Sequence, residues 1–286
     1  MGRGVRWIVA ISLVLSAAPS TAFSETLHFK QTYSKFDKTT GHQFTHAQIS
    51  YQFVHYPLPP IPSSMQNSTE VQQWRLSARA LGKFHTPYRV ENQDGRLHIN
   101  VGSTNTTSYP VSNGELLVKD HGEWGAQLYF HAQGSLNPPL KIKEAQYGNF
   151  KKIFPLDGKW YFLEADTHLD GFRGGLFELI KTDQGYEYKE LLLIKDSAPV
   201  DMVSYHGAWY IICNNSLYVV KNGVVQRYLY FFYNRIEPNS IVVFDEENIW
   251  IGTDNSGIAK FNIKNQTMKF YIDKHELKNS LKSDTK

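Results

Sequence analysis

Asn113-Gly114-Glu115-Leu116-Leu117-Val118, Asp157-Gly158-Lys159-Trp160-Tyr161-Phe162, His206-Gly207-Ala208-Trp209-Tyr210-Ile211 and Glu247-Asn248-Ile249-Trp250-Ile251-Gly252 share one pattern: a turn-forming pair, then a short run rich in apolar and aromatic residues. The four starts stand 44, 49 and 41 residues apart. After each comes a turn and a second strand-like run: Leu128-Tyr129-Phe130, Leu176-Phe177-Glu178-Leu179, Leu217-Tyr218-Val219-Val220 and Ile258-Ala259-Lys260-Phe261. A third apolar run often follows, as in Leu191 to Ile194 or Tyr228 to Phe232. Short β-branched and aromatic runs between Gly, Asn and Asp turns read as strands. Three or four strands recurring every few tens of residues predict an all-β chain built as a β-propeller, each blade covered by its neighbours. Roughly five or six blades fit the length. A β-sandwich with coincidental hairpins is the alternative.

Working outward, Asp94-Gly95-Arg96-Leu97-His98-Ile99 opens a further hairpin, and His46 to His55 alternates as another strand. The Pro-rich stretch from Pro57 to Pro62 forbids a regular element. Helical spacing appears once: Asn67 as cap, Glu70 completing a capping box, Val71, Trp74, Ala78 and Leu81 on one face, Gly82 as stop. Trp160, Trp209 and Trp250 occupy equivalent repeat positions and suit packing between sheets. Trp74 and Trp124 fall outside that register.

The last repeat, Trp250-Ile251-Gly252-Thr253 followed by Gly257-Ile258 and Phe261, resembles the propeller repeats of periplasmic sensor domains of two-component regulators. The resemblance covers one repeat strongly, and the others keep the turn, the aromatic and the second strand. It implies a propeller and an exported location.

The N-terminus predicts export on its own. Arg3 and Arg6 precede an apolar run from Trp7 to Ala18, Pro19 breaks it, and small residues follow at Ser20, Ala22 and Ser24. The run is shorter than the roughly 18 to 20 residues that span a bilayer as a helix. The expected organisation is a cleaved signal over 1–24, one propeller domain over 25–273 with no membrane span, and a solvated Lys-rich tail over 274–286. Cleavage takes two arginines and no acid, so 30 Lys+Arg against 27 Asp+Glu becomes 28 against 27. A nearly neutral domain lacks the basic footprint of a nucleic-acid binder. Cys213, the only cysteine, excludes internal disulfides and reads as a small buried hydrophobe.

The most polar stretch is Glu164-Ala165-Asp166-Thr167-His168-Leu169-Asp170-Gly171-Phe172-Arg173. It lengthens its hairpin, with a first-to-second strand offset of 19 residues against 11 in the next two repeats. Such loops concentrate binding groups. Asp166, His168 and Asp170 resemble the opening of a calcium loop, yet a histidine stands where oxygen is wanted and Phe177 where the bidentate glutamate belongs. Glu164, Asp166 and Asp170 could serve glycoside hydrolysis if two of them faced each other across a sugar. A solvated turn with Arg173 pairing a neighbouring acid is the reading preferred. The eleven histidines are scattered, with no HExxH and no cysteine partner, and no nucleotide or hydrolase fingerprint occurs.

Taken together the sequence predicts a periplasmic or secreted binding protein, with no catalytic residue, metal or cofactor. Its partner is expected to be a protein or an envelope component, and an immunity or inhibitor protein is the concrete form. Glu164, Asp166, His168, Asp170, Arg173 and Trp124 are the candidate binding residues. A ligand-sensing module and a glycan-acting hydrolase are the alternatives.

Overall fold

A computed structural model describes residues 26–36, 43–56, 69, 72, 84–102, 107–121, 124–167, 172–228, 237–255 and 257–283. The expected export signal lies outside them, as does the expected helix apart from Thr69 and Gln72, both helical and exposed. Strands dominate, as expected, in four antiparallel sheets rather than the two that a sandwich stacks. The chain divides into two compact units, one of residues 1–102, 235–237 and 242–286, the other of 103–234 and 238–241.

The first unit holds seven strands of the largest, eight-stranded sheet, ordered β1 (Thr26–Phe36), β2 (Gln43–Tyr56), β20 (Thr267–Asp273), β19 (Ile258–Asn262), β18 (Asn248–Thr253), β3 (Tyr88–Gln93) and β4 (Arg96–Val101). The N-terminal strands thus join the last repeat, with Phe53 opposite Asp273 and Tyr56 opposite Phe270. The hairpin at Asp94-Gly95 pairs with that sheet through Tyr88 and Thr253, and belongs to a different sheet from the repeat opened at Asn113. Phe53, Tyr88, Ile99, Ile258 and Tyr271 form its buried core, and Trp250 packs against them.

One expectation is corrected here. The stretch 274–286 was expected as a frayed tail, but Lys274–Ser283 is a helix. Its cause is local: Asp273 Oδ1 accepts from the backbone N–H of His275 at 2.8 Å and of Glu276 at 3.3 Å, satisfying donors a helix start leaves open. Glu276 in turn accepts from the Thr86 hydroxyl, and burial raises its pKa.

The second unit contains three four-stranded meanders. The first runs β5 (Ser108–Val111), β6 (Gly114–Asp120), β7 (Ala126–Ala132) and β8 (Leu140–Glu144). The second runs β9 (Asn149–Leu156), β10 (Lys159–Asp166), β11 (Arg173–Thr182) and β12 (Gly185–Ile194). The third runs β13 (Pro199–Tyr205), β14 (Ala208–Cys213), β15 (Leu217–Lys221) and β16 (Val224–Tyr228). Each of the repeats read from the sequence here falls within one sheet.

Turn chemistry sets the registers. Asp157 and Gly158 lie at φ 49° and 76°, and His206 and Gly207 at 48° and 73°, which two-residue type I′ hairpins need. The first repeat departs from its reading by one residue. Its turn is Ser112-Asn113, and Gly114 already pairs with Val111. Gly114 is a close-approach position, since a Cβ there would stand 2.1 Å from the His131 carbonyl oxygen.

The middle sheet is covered on both faces. Phe162 of β10 stacks on Phe177 of β11 at 4.8 Å and, with Leu116, Leu128 and Phe130, fills the space toward the first sheet. Tyr161, Leu163 and Leu176 point the other way, onto Ile211, Cys213 and Tyr218 of the third sheet. Alternation along β10 sends successive side chains to opposite faces, so the run reads as continuously apolar. Truncating a side chain such as Phe162 at such a place costs roughly 3–5 kcal/mol.

Candidate functional site

The β6–β7 and β8–β9 connections of the second unit meet at one end, beside the last residues of β10. A Cβ on Gly125 would lie 3.4 Å from the Gly148 carbonyl oxygen, and one on Gly148 would lie 2.7 Å from that of Ala165. A side chain at Gly148, at φ 79°, is therefore strained on two counts, its own conformation and its neighbour's backbone. These contacts set side by side the backbones that follow Trp124 and Tyr147 and precede Asp166.

At this end Trp124 is 90% exposed. His121 closes its turn, donating its backbone N–H to the Gly125 carbonyl at 2.8 Å. Arg173, first residue of β11, faces Asp166, last residue of β10, because the two are register partners. Its guanidinium donates to Asp166 Oδ2 from Nη2 at 3.3 Å and from Nε at 3.4 Å, and stands 5.6 Å from the Tyr147 ring centre. The pairing of Arg173 with a neighbouring acid is thus observed. His168 and Asp170 lie outside the described residues.

Glu164 is not a loop residue. It is fully buried on β10, on the face that carries Phe162. Its Oε1 accepts from the Tyr147 backbone N–H at 2.6 Å, and its Oε2 stands 3.4 Å from Nζ of Lys143 on β8, itself buried. The Lys143 ammonium lies over the rings of Phe177 and Tyr188, 4.7 Å and 4.2 Å from their centres. Burial raises the Glu164 pKa, against the opposing pull of the Tyr147 amide and Lys143. With Glu164 sealed inside and Asp166 tied to Arg173, these two do not form a carboxylate pair across a solvent cleft.

Other polar groups at this end carry no clear signal in the sequence. Lys151 is the extra residue of a bulge between β9 and β10, where the register steps from Leu163–Lys152 to Glu164–Phe150. Its side chain meets solvent yet stands in crowded surroundings. Desolvation is the largest influence on it and lowers its pKa, while Asp120 and Asp166 oppose that.

Beside them a second network joins the β12–β13 connection to the β14–β15 turn. Asn214 Oδ1 accepts from the Ala198 backbone N–H at 2.8 Å and the Ser197 hydroxyl at 3.2 Å. Asp196 accepts from the Tyr218 hydroxyl at 2.7 Å and pairs with Arg227. Beneath it Cys213 is fully buried, and burial pushes its thiol up to about 12. That protonated, enclosed sulfur is packing, as its setting between Ile211, Ile212 and Leu217 suggests.

Among the described residues no group of three or more His, Cys, Asp or Glu stands close enough to hold a metal ion, and no helix is long and apolar enough to cross a membrane.

No family model and no curated protein matches this chain. Among solved structures it is similar to the extracellular domain of a hybrid two component system from B. thetaiotaomicron, at 12% identity and a TM-score of 0.30. The aligned part covers 88% of this chain and 40% of that one, so this chain spans well under half its length. A score of that size leaves the likeness without bearing on fold or function.

Proposed function

We propose that this chain is an exported, non-catalytic binding protein, and that the loop end of its second unit is the recognition surface. The scaffold we propose is a propeller: consecutive four-stranded meanders, the middle one covered on both faces by its neighbours, are what blades require. The observation that carries the binding reading is Trp124. An indole 90% exposed at a turn contributes little to the core; the next residue, Gly125, lies against the Gly148 carbonyl, and Tyr147 before Gly148 carries the half-exposed Arg173 over its ring. Trp, Tyr and Arg are the side chains that most often carry interface energy. The partner we propose is a protein, met in the periplasm or outside the cell, and the concrete form is an immunity or inhibitor protein that covers a partner's active site.

The test is capture from a periplasmic extract by the wild type, Trp124→Ala and Arg173→Ala. A retained protein whose affinity falls about tenfold to a hundredfold in either variant supports the reading. No retained protein, or equal retention by both variants, overturns it. A bound small molecule in place of a protein would move the reading to ligand sensing.

A further inference from the structure

The recognition end is fastened to the interior through one carboxylate. Glu164 Oε1 holds the Tyr147 amide at 2.6 Å. Tyr147 carries Arg173 over its ring, and Arg173 holds Asp166. A continuous set of contacts therefore runs from the buried pair to the surface. Elsewhere in the unit, buried acids are held differently: Asp201 binds backbone amides of β13 and β17 (Pro238–Val243) and touches none of these loops.

We propose that Glu164 is a proton-operated positioning residue for this surface: ionised it holds Tyr147, and with it Arg173 and Asp166, in the binding arrangement, and protonated it releases them. This rests on the reading of that end as the recognition surface. The physical reason is the difference between the two carboxyl forms. A carboxylate accepts the Tyr147 N–H as a charge-assisted hydrogen bond and faces an ammonium. A neutral carboxyl is a weaker acceptor, leaves Lys143 without a counter-charge inside the protein, and gains a proton that neither the Tyr147 amide nor the ammonium can accept.

The charged and titratable groups about Glu164 are few. Lys143 comes from β8, with Tyr188 of β12 and the Phe177 ring of β11 around its ammonium. Lys151 and Lys152 come from β9, and Asp166 and Arg173 lie beyond at the strand ends. Lys143 alone contributes a direct charge, and it favours the ionised form. Burial outweighs it, so release occurs at a pH above the ordinary glutamate range.

The experiment follows the Tyr147 amide proton and the Arg173 Nε–H by NMR from pH 7.5 to pH 4, which needs no partner. The wild type is expected to show both signals moving together with one midpoint above that of an exposed glutamate. Glu164→Gln should remove the transition at both sites, and Lys143→Met should keep it with a higher midpoint. The partner captured above should be retained about tenfold less well at pH 5 than at pH 7, a difference that Glu164→Gln abolishes. Flat signals in the wild type, or a transition that survives Glu164→Gln, would overturn the proposal. If no partner is captured at all, the binding reading fails while the NMR transition still decides the latch.

Discussion

Removing the Asp201 side chain from the second unit is expected to cost as much as removing a large core side chain. Asp201 is 2% exposed on β13, and three groups depend on it. Oδ1 accepts from its neighbour Met202's backbone N–H at 2.6 Å and from the Lys152 ammonium of β9, and Oδ2 accepts from the Ile241 backbone N–H of β17 at 3.2 Å. Asp201→Ala leaves two buried amides without these acceptors. Each costs about 1–3 kcal/mol when orphaned. With the charge partner lost as well, the sum is roughly 3–5 kcal/mol.

Asp201→Asn should recover no more than half, because its oxygen can serve one amide while its NH2 presents a donor to the other. Lys152→Met should cost only about 1 kcal/mol, since Lys152 is 31% exposed and water screens its contribution. In the double variant that cost should vanish, giving a coupling of about 1 kcal/mol. Denaturant unfolding followed by tryptophan fluorescence measures the four variants against the wild type, with unchanged slopes. An Asp201→Ala protein within 1 kcal/mol of wild type, or an Asn variant as stable as wild type, would show that water or rearrangement satisfies these amides and refute the reasoning.

Cys213 should resist iodoacetamide at pH 8 in the native protein and react fully once unfolded, because burial holds its thiol near 12, and rapid native labelling would contradict the enclosed site. Gly148→Ala should lower stability by roughly 2–3 kcal/mol, since φ 79° is strained for alanine and the Ala165 carbonyl blocks the methyl, and an unchanged denaturation midpoint would show that the β8–β9 turn can shift.

The strands were legible because turn chemistry and apolar runs agree. Asp157-Gly158 and His206-Gly207 both demand positive φ, and the residues after them pack into buried cores. The C-terminal helix was legible in principle too. Asp273 followed three residues later by Glu276 is a helix-start signal, but the surrounding lysines made composition speak for a tail. Glu164 was not legible. It continues the face of Trp160 and Phe162, yet a carboxylate after four apolar residues reads locally as the start of a loop. Only Lys143, 21 residues earlier on another sheet, makes its burial tolerable, and no spacing within either strand announces that pair. The Arg173–Asp166 pair was readable for the opposite reason: a hairpin register brings its own two ends together.

The two ends of the second unit are fixed by different physics, and this bears on where recognition can reside. At one end the turns Asp157-Gly158, His206-Gly207 and Asn222-Gly223 are fixed by backbone dihedrals, so their shape follows from glycine and the residue before it. At the other, glycines at Gly125 and Gly148 are joined by side-chain ties: Glu164 on Tyr147, Asn214 on Ala198, Arg173 on Asp166. A dihedral-coded turn tolerates few sequences and offers little to a partner. A side-chain-coded loop can change its polar residues while the Phe162 and Tyr161 layers beneath remain intact. Polar residues can therefore be altered at the loop end at small cost to the core, which suits the recognition surface proposed for it.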